Sequence, residues 1–244
     1  MPEVEGAGVA LHYVERGAGR PLLIVHGMAS AAAQWSGELD ALAAAGARAI
    51  AYDRRGYGAS GVPQPYVATT VQEQSEDAAA LLQALGAVPA VLVGDGFGAL
   101  VVLELLVRRP RLATAAVLAD PPLFAFVPAA TGALADERTL LEQGLRDGGP
   151  RQAIDAWLGD AASARRRADA RASPLGFFAD YAGQSSWSPS RRELRSIGVP
   201  VAVVTGPATA AHTQAAAVAM MALLPDARPS ADGDVVAAAR ALLT

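Results

Sequence analysis

The sequence predicts an α/β fold in which a mostly parallel sheet is flanked by helices and a helical layer is inserted late in the chain. Three observations predict it. Short apolar runs of strand length alternate with longer helical patterns along most of the 244 residues, the pattern of a sheet covered on both faces. Residues 97–109 (FGALVVLELLVRR) are apolar almost all round, as a helix buried beside such a sheet must be. From Pro121 to about Gly198 the strand rhythm disappears and only helical stretches remain. The expected division is a core of residues 1–122 and 199–244 with a helical insertion at 123–198.

Each element follows from its local pattern. The run 21–27 (PLLIVHG) is the first clear buried strand, and 30–46 (SAAAQWSGELDALAAAG) reads as a helix ended by Gly46. A strand at 47–53 (ARAIAYD) enters a polar, glycine-rich loop at 54–65, and 71–86 (VQEQSEDAAALLQALG) forms the next helix. The strand 90–94 (AVLVG) leads into the buried helix, which Pro110 stops, and 113–120 (ATAAVLAD) is the sixth strand. The insertion holds helical stretches at 137–147 (ERTLLEQGLRD) and 151–172 (RQAIDAWLGDAASARRRADARA). The sheet resumes at 199–206 (VPVAVVTG), and helices at 211–224 and 234–243 follow. Between them, 226–233 (DARPSADG) looks too short for a full strand and loop.

Composition narrows the function. Twenty basic against 24 acidic residues leave a formal charge of -4, spread rather than blocked, so neither nucleic acid nor an anionic membrane is an expected partner. A small molecule is, and the oligomeric state stays open. The chain has no cysteine, which excludes disulfides and thiolate metal sites. It also has no lysine, which excludes Schiff-base chemistry. No metal and no cofactor are expected. The opening MPEVEGAGVA carries neither a basic segment nor an apolar run, so a cytoplasmic location is the expectation.

Four segments carry a resemblance to the α/β-hydrolase fold superfamily that runs nearly end to end. Residues 26–35 (HGMASAAAQW) resemble the loop that supplies one oxyanion donor, and 53–61 (DRRGYGASG) the Asp-x-Arg-Gly-x-Gly-x-Ser turn. Residues 94–98 (GDGFG) stand where the Gly-x-Ser-x-Gly nucleophile elbow belongs, and 199–207 (VPVAVVTGP) resemble the strand that delivers the catalytic acid. The resemblance implies that the insertion is a cap over the site. It also implies that the catalytic triad is degenerate: the nucleophile position falls on Gly96, the acid position on Thr209, and 226–233 lacks a histidine. Asp95, one residue early, is expected to point back into the scaffold.

The resemblance leaves an oxyanion hole, formed by the backbone N–H groups of Met28 and Phe97. With donors but no side-chain nucleophile, the expectation is a non-hydrolytic, cofactor-independent conversion of a small apolar metabolite. Cyclisation, elimination or rearrangement of a polyketide-like intermediate in a biosynthetic setting fits it. The alternatives are a non-catalytic binder or accessory protein, a hydrolase in which His212 and Asp120 activate water, and a dinucleotide-binding protein. The last rests on residues 94–99, which also satisfy Gly-x-Gly-x-x-Gly/Ala.

His212, three residues past Thr209, and Asp120, at the carboxyl end of the sixth strand, are the candidate catalytic side chains. His212 reads equally well as an exposed residue at a helix start. His12, on a first, edge strand, and His26, in the His-Gly loop, are expected to be structural, and Asp53 and Arg55 to tie down their turn. Trp35, Phe124, Phe126, Phe178, Tyr181 and Trp187 are the expected substrate pocket, with Phe177 beside them; any one of them reads equally as core.

Overall fold

The alternation produces one eight-stranded sheet among the residues described, 2–230 and 233–243 of a computed structural model. The elements are β1 (Glu3–Glu5), β2 (Ala10–Arg16), β3 (Arg20–Val25), α1 (Ser36–Ala44), β4 (Ala47–Tyr52), α2 (Val71–Ala84), β5 (Ala90–Asp95), α3 (Phe97–Arg108) and β6 (Ala113–Ala119). Then come α4 (Ala130–Leu158), α5 (Ala164–Ala172), α6 (Pro174–Gln184), α7 (Arg191–Arg195), β7 (Val201–Val204), α8 (Ala211–Met221), β8 (Ala227–Pro229) and α9 (Val235–Leu242). The strand order is β1-β2-β4-β3-β5-β6-β7-β8. β2 pairs antiparallel with β1 and β4, and every later pairing is parallel.

Parallel strands are buried on both faces, which is why β3 to β6 read as continuous apolar runs. Leu23, Val25, Leu92 and Leu118 face a core shared with α2 and α3, while Leu22, Ile24, Val93 and Val117 face one shared with α1 and α9. Helix α3 is buried from Phe97 to Leu106, as its all-round apolarity requires. The stretch between β6 and β7 holds helices and no strand among the described residues, and α4, α5 and α6 line the cavity at the carboxyl ends of the strands. Gly148 and Gly149 break α4 into two segments.

Three local expectations are corrected. The stretch 226–233 does contain a strand: the three residues of β8 pair with β7 from Ala227 to Pro229, so a short edge fits where a longer strand would not. Residues 231 and 232 lie outside those described. His12 is not on an edge, because β1 pairs outside β2. Trp35 ends a 3-10 turn (Ala32–Trp35) ahead of α1 and packs on the face covered by α1 and α9, and it lines neither of the cavities described below.

The turn from β5 to α3 is so close that its flanks admit no side chain. A Cβ on Gly98 would stand 2.0 Å from the Val25 carbonyl oxygen, and one on Gly94 would stand 2.6 Å from Ala99 Cα. Both obstacles are backbone, so neither can swing aside. Gly98→Ala is expected to cost about 3 kcal/mol or more in chemical denaturation. Gly132→Ala, in open space on α4, should instead gain roughly 1 kcal/mol. Equal midpoints for the two variants would refute this account of the turn.

Candidate active site

Gly96 forms the apex of the β5–α3 turn, with φ 50° and ψ -119°. Its N–H donates to the Ala119 carbonyl at 2.9 Å, tying the apex to β6. In contrast to its flanks, a Cβ here would meet only Gly27 Cα, at 3.8 Å. The space above the apex is therefore open. It belongs to a cavity of about 280 Å³ whose walls include Met28, Asp95, Phe97, Asp120, Glu137, Arg166, Thr209 and His212. Carboxyl ends of parallel strands supply the floor and the inserted helices supply the roof, the usual place for a site in an open α/β sheet.

Met28 and Phe97, the expected oxyanion donors, are both placed at the cavity by the chain's course. Phe97 is the first residue of α3, where a helix leaves its N–H without an intrahelical acceptor. Met28 follows Gly27 at the end of β3, and both residues line the cavity beside Gly96. The loop is fixed from behind by His26 and Arg54. The Arg54 Nε donates to the His26 carbonyl at 2.8 Å and its Nη2 to the Gly27 carbonyl at 3.0 Å. His26 Nε2 accepts the Arg54 backbone N–H at 3.0 Å, and its Nδ1 donates to the Gly27 carbonyl at 2.8 Å. Burial, with the Arg54 charge beside it, holds the His26 imidazole well below its usual range, so this ring stays neutral.

Asp120 sits just beyond β6 with φ 44°, a left-handed conformation that only the surrounding bonds can hold. Thr209 Oγ1 donates to its Oδ1 at 2.6 Å and itself accepts the Gly206 N–H at 2.8 Å. The threonine after β7 thus reaches across to orient a carboxylate after β6. His212, at the start of α8, lines the same cavity with its ring 5.3 Å from that of Phe124. Glu137 of α4 is the third carboxyl; burial raises its pKa against the opposing pull of the Trp157 indole N–H and of His212.

Asp95 corrects an expectation. Instead of pointing into the scaffold, it lines the cavity against Gly27. Burial raises its pKa; the Arg166 charge opposes that rise, the Asp120 charge adds to it, and a hydrogen bond from the Gly27 N–H opposes it. Nothing in the local sequence separates an inward from a cavity-facing Asp95, because the turn's φ and ψ decide it.

The aromatic candidates divide. Phe124 lines both this cavity and a larger, mostly apolar one of about 540 Å³ that Tyr181 and Trp187 also line; Pro122 and Gln184 are common to the two as well. Trp187 Nε1 donates to the buried Glu104 of α3 at 2.9 Å. Phe126 and Phe178 are corrected to core: Phe126 packs there with the Arg191 guanidinium over its ring, and Phe178 packs edge-on to the fully buried Phe177. His12 holds Asp53 at 2.9 Å, and Arg55 grips Asp77 at 2.6 Å. Sequence reasoning missed Glu137 and Arg166, since charges on an amphipathic helix carry no mark of which one faces a cavity. Among the described residues no three His, Asp or Glu side chains come together as metal ligands, and no helix is long and apolar enough to cross a membrane.

The sequence model of a family described as "alpha/beta hydrolase fold" matches residues 20–229. An epoxide hydrolase of Caballeronia sordidicola is 40% identical over 103 residues, which are 42% of this chain and 31% of that protein. Epoxide hydrolase A of Mycobacterium tuberculosis is 39% identical over 123 residues, 49% of this chain and 38% of that protein. The chain thus spans only about a third of the length of these relatives. The solved structure of a thermophilic esterase from Thermogutta terrifontis superposes with a TM-score of 0.77 at 22% identity, over 94% of this chain and 89% of that one. Both curated relatives are named epoxide hydrolases, and this overturns the expected cyclisation, elimination or rearrangement. The physical reason is that a missing side chain at Gly96 removes only the covalent route, while water remains available as the nucleophile. The dinucleotide reading falls with it, since that fingerprint follows the first strand of its sheet, whereas here four strands precede the turn and the matched family model runs through it.

Proposed function

We propose that this chain, which belongs to the α/β-hydrolase fold family, hydrolyses a small electrophilic molecule by direct attack of water. The observation that carries this reading is the convergence of Asp95, Asp120 and His212 on the open space above Gly96, beside the N–H groups of Met28 and Phe97. Residues 123–198 act as the cap that closes it.

The roles follow from the chemistry of each group. Water fills the space that a side chain at Gly96 would take. His212 accepts a proton from it as its oxygen bonds to the electrophilic carbon, and Asp120, held by Thr209, stabilises the imidazolium. The carbon–oxygen bond of the substrate breaks, the charge on the substrate oxygen is met by the two N–H groups, and Asp95 returns a proton to the departing oxygen. A carboxyl whose environment favours its protonated form is suited to that task. Passage of the proton from His212 to Asp95 resets the site. Each N–H donor is worth on the order of 10²- to 10³-fold in rate. The names of the two curated relatives make an epoxide the first electrophile to test, with esters and lactones next.

The test is a single turnover of styrene oxide, phenyl acetate and a δ-lactone in ¹⁸O water with enzyme in excess. With styrene oxide, direct attack puts the label in the product of the first turnover; with the ester and lactone, whose acids would be labelled by an acyl-enzyme route as well, the readout is hydrolysis above buffer. Unlabelled product in that turnover would mean that an enzyme carboxylate had attacked, and no hydrolysis above buffer for any of the three would overturn the reading. A companion expectation concerns Gly96→Ser. Space permits the side chain, at about 1–2 kcal/mol for the left-handed backbone. The serine displaces the attacking water without a base aligned to it. Ester turnover should fall at least tenfold with no burst of acyl-enzyme; a burst, or faster turnover, would show that a base already serves that position.

A further inference from the structure

Helix α5 carries four arginines, and three are engaged. Arg165 donates to the Ala33 carbonyl at 2.7 Å, and Arg167 and Arg171 both pair with Asp155. Arg166 differs. It lines the cavity above Gly96, and its Nε is buried without a hydrogen-bond partner among the described residues. An unpaired guanidinium nitrogen shielded from water costs of the order of 1–3 kcal/mol, so a chain that places one there leaves it for something that comes and goes. Arg166 is also held in place: it is the third residue of α5, where its backbone N–H donates to the Ser163 side chain at 3.2 Å.

None of the three carboxyls that share the cavity accepts a hydrogen bond from the Nε. Asp120 accepts one from Thr209, and the Arg166 charge reaches Asp95 only as an opposition to its raised pKa. The larger apolar cavity adjoins this one, with Pro122, Phe124 and Gln184 in the walls of both. The region thus has a cationic end, a reaction centre and an apolar chamber. We propose that Arg166 binds a carboxylate of the substrate, so that the substrate class is an apolar acid whose scissile carbon–oxygen bond lies between its carboxylate and its apolar body. Planar guanidinium and carboxylate match in a two-point hydrogen bond that a neutral amide cannot reproduce. The substrate class rests on the hydrolase reading, but the binding of a carboxylate by Arg166 does not.

The experiment measures binding without turnover. Affinities of 4-phenylbutyrate and 4-phenylbutyramide, which differ only in charge at one end, are compared by calorimetry at pH 7.5 for the wild type, Arg166→Gln and Arg166→Lys, with circular dichroism as the check of fold. The acid should bind about ten- to a hundredfold more tightly than the amide to the wild type. Arg166→Gln should remove that preference while leaving the amide's affinity unchanged, and Arg166→Lys should keep part of it. Equal affinity of acid and amide for the wild type, a preference that survives Arg166→Gln, or failure of both to bind at millimolar concentration would each overturn the proposal. A preference that obeys these rules in a protein with no hydrolysis in the labelled-water experiment would leave Arg166 as an anion site and sink the hydrolase reading alone.

Discussion

Asp180→Ala should cost about 3–5 kcal/mol of stability in chemical denaturation, most of what a domain of this kind has to lose. Arg54 and Asp180 are both fully shielded from solvent. The guanidinium donates to Asp180 Oδ2 at 2.6 Å and Oδ1 at 3.1 Å, and it lies over the rings of Phe97 and Tyr57. Tyr57 Oη and Gln74 Nε2 also donate to the carboxylate, both at 2.7 Å. Removing the carboxylate leaves a buried positive charge and two buried donors without an acceptor, and that residue of unmet polarity sets the size of the loss. Asp180→Asn keeps the shape and one acceptor, so it should cost less than the alanine. The consequence reaches the reaction centre, because the same guanidinium holds the carbonyls of His26 and Gly27, next to the Met28 N–H. A loss below about 1 kcal/mol for Asp180→Ala would show that water refills the gap and that this pair does not lock α6 to the sheet.

That pair also marks where the sequence stops being legible. Strands β3 to β7, the buried α3 and the turn at 94–98 could be read because each follows a local pattern of period, apolar length or small residues between strand and helix, although the Val25 carbonyl that Gly98 abuts lies on another strand. Arg54 and Asp180 stand 126 residues apart in the chain, and no local rule couples them. Asp120 and His212 could be named from their position after strands of an open sheet, since the sheet places those ends together. Asp95 was legible as a residue and not as a direction, because the rotation of one turn decides which wall it faces. Trp35 failed for a similar reason. An aromatic residue beside the oxyanion loop looks like pocket lining, yet the 3-10 turn carries it to the face covered by α1 and α9. Arg166 is the extreme case: three consecutive arginines are indistinguishable in sequence, and only helix phase sets one of them facing the cavity.

Asp95→Asn separates the proposed acid from a merely structural carboxylate, because it should move activity and stability in opposite directions. The isosteric amide retains an oxygen to accept the Gly27 N–H, so the floor keeps its shape, but it has no acidic proton to return to the departing oxygen. Hydrolysis should fall about 10²- to 10⁴-fold. Stability should move the other way at neutral and alkaline pH. Burial is the leading reason that the folded-state pKa of Asp95 lies above its ordinary value of 3.8. A carboxyl with a raised folded-state pKa favours folding fully below the unfolded value, and that contribution is lost as pH rises through the folded one. At pH 8 the wild type must therefore either hold a proton that the unfolded chain has lost or bury a charge that the fold disfavours, and the amide does neither. Melting temperatures should be higher for Asp95→Asn at pH 8, and that advantage should shrink as pH falls below the folded-state pKa. The same titration gives the wild-type rate an alkaline limb, since the acid is spent as pH rises through its raised pKa, and the variant's residual rate should lack it. A variant that melts lower than the wild type at pH 8 and still turns over at a comparable rate would make Asp95 a structural anchor and leave proton return to Glu137 or to water.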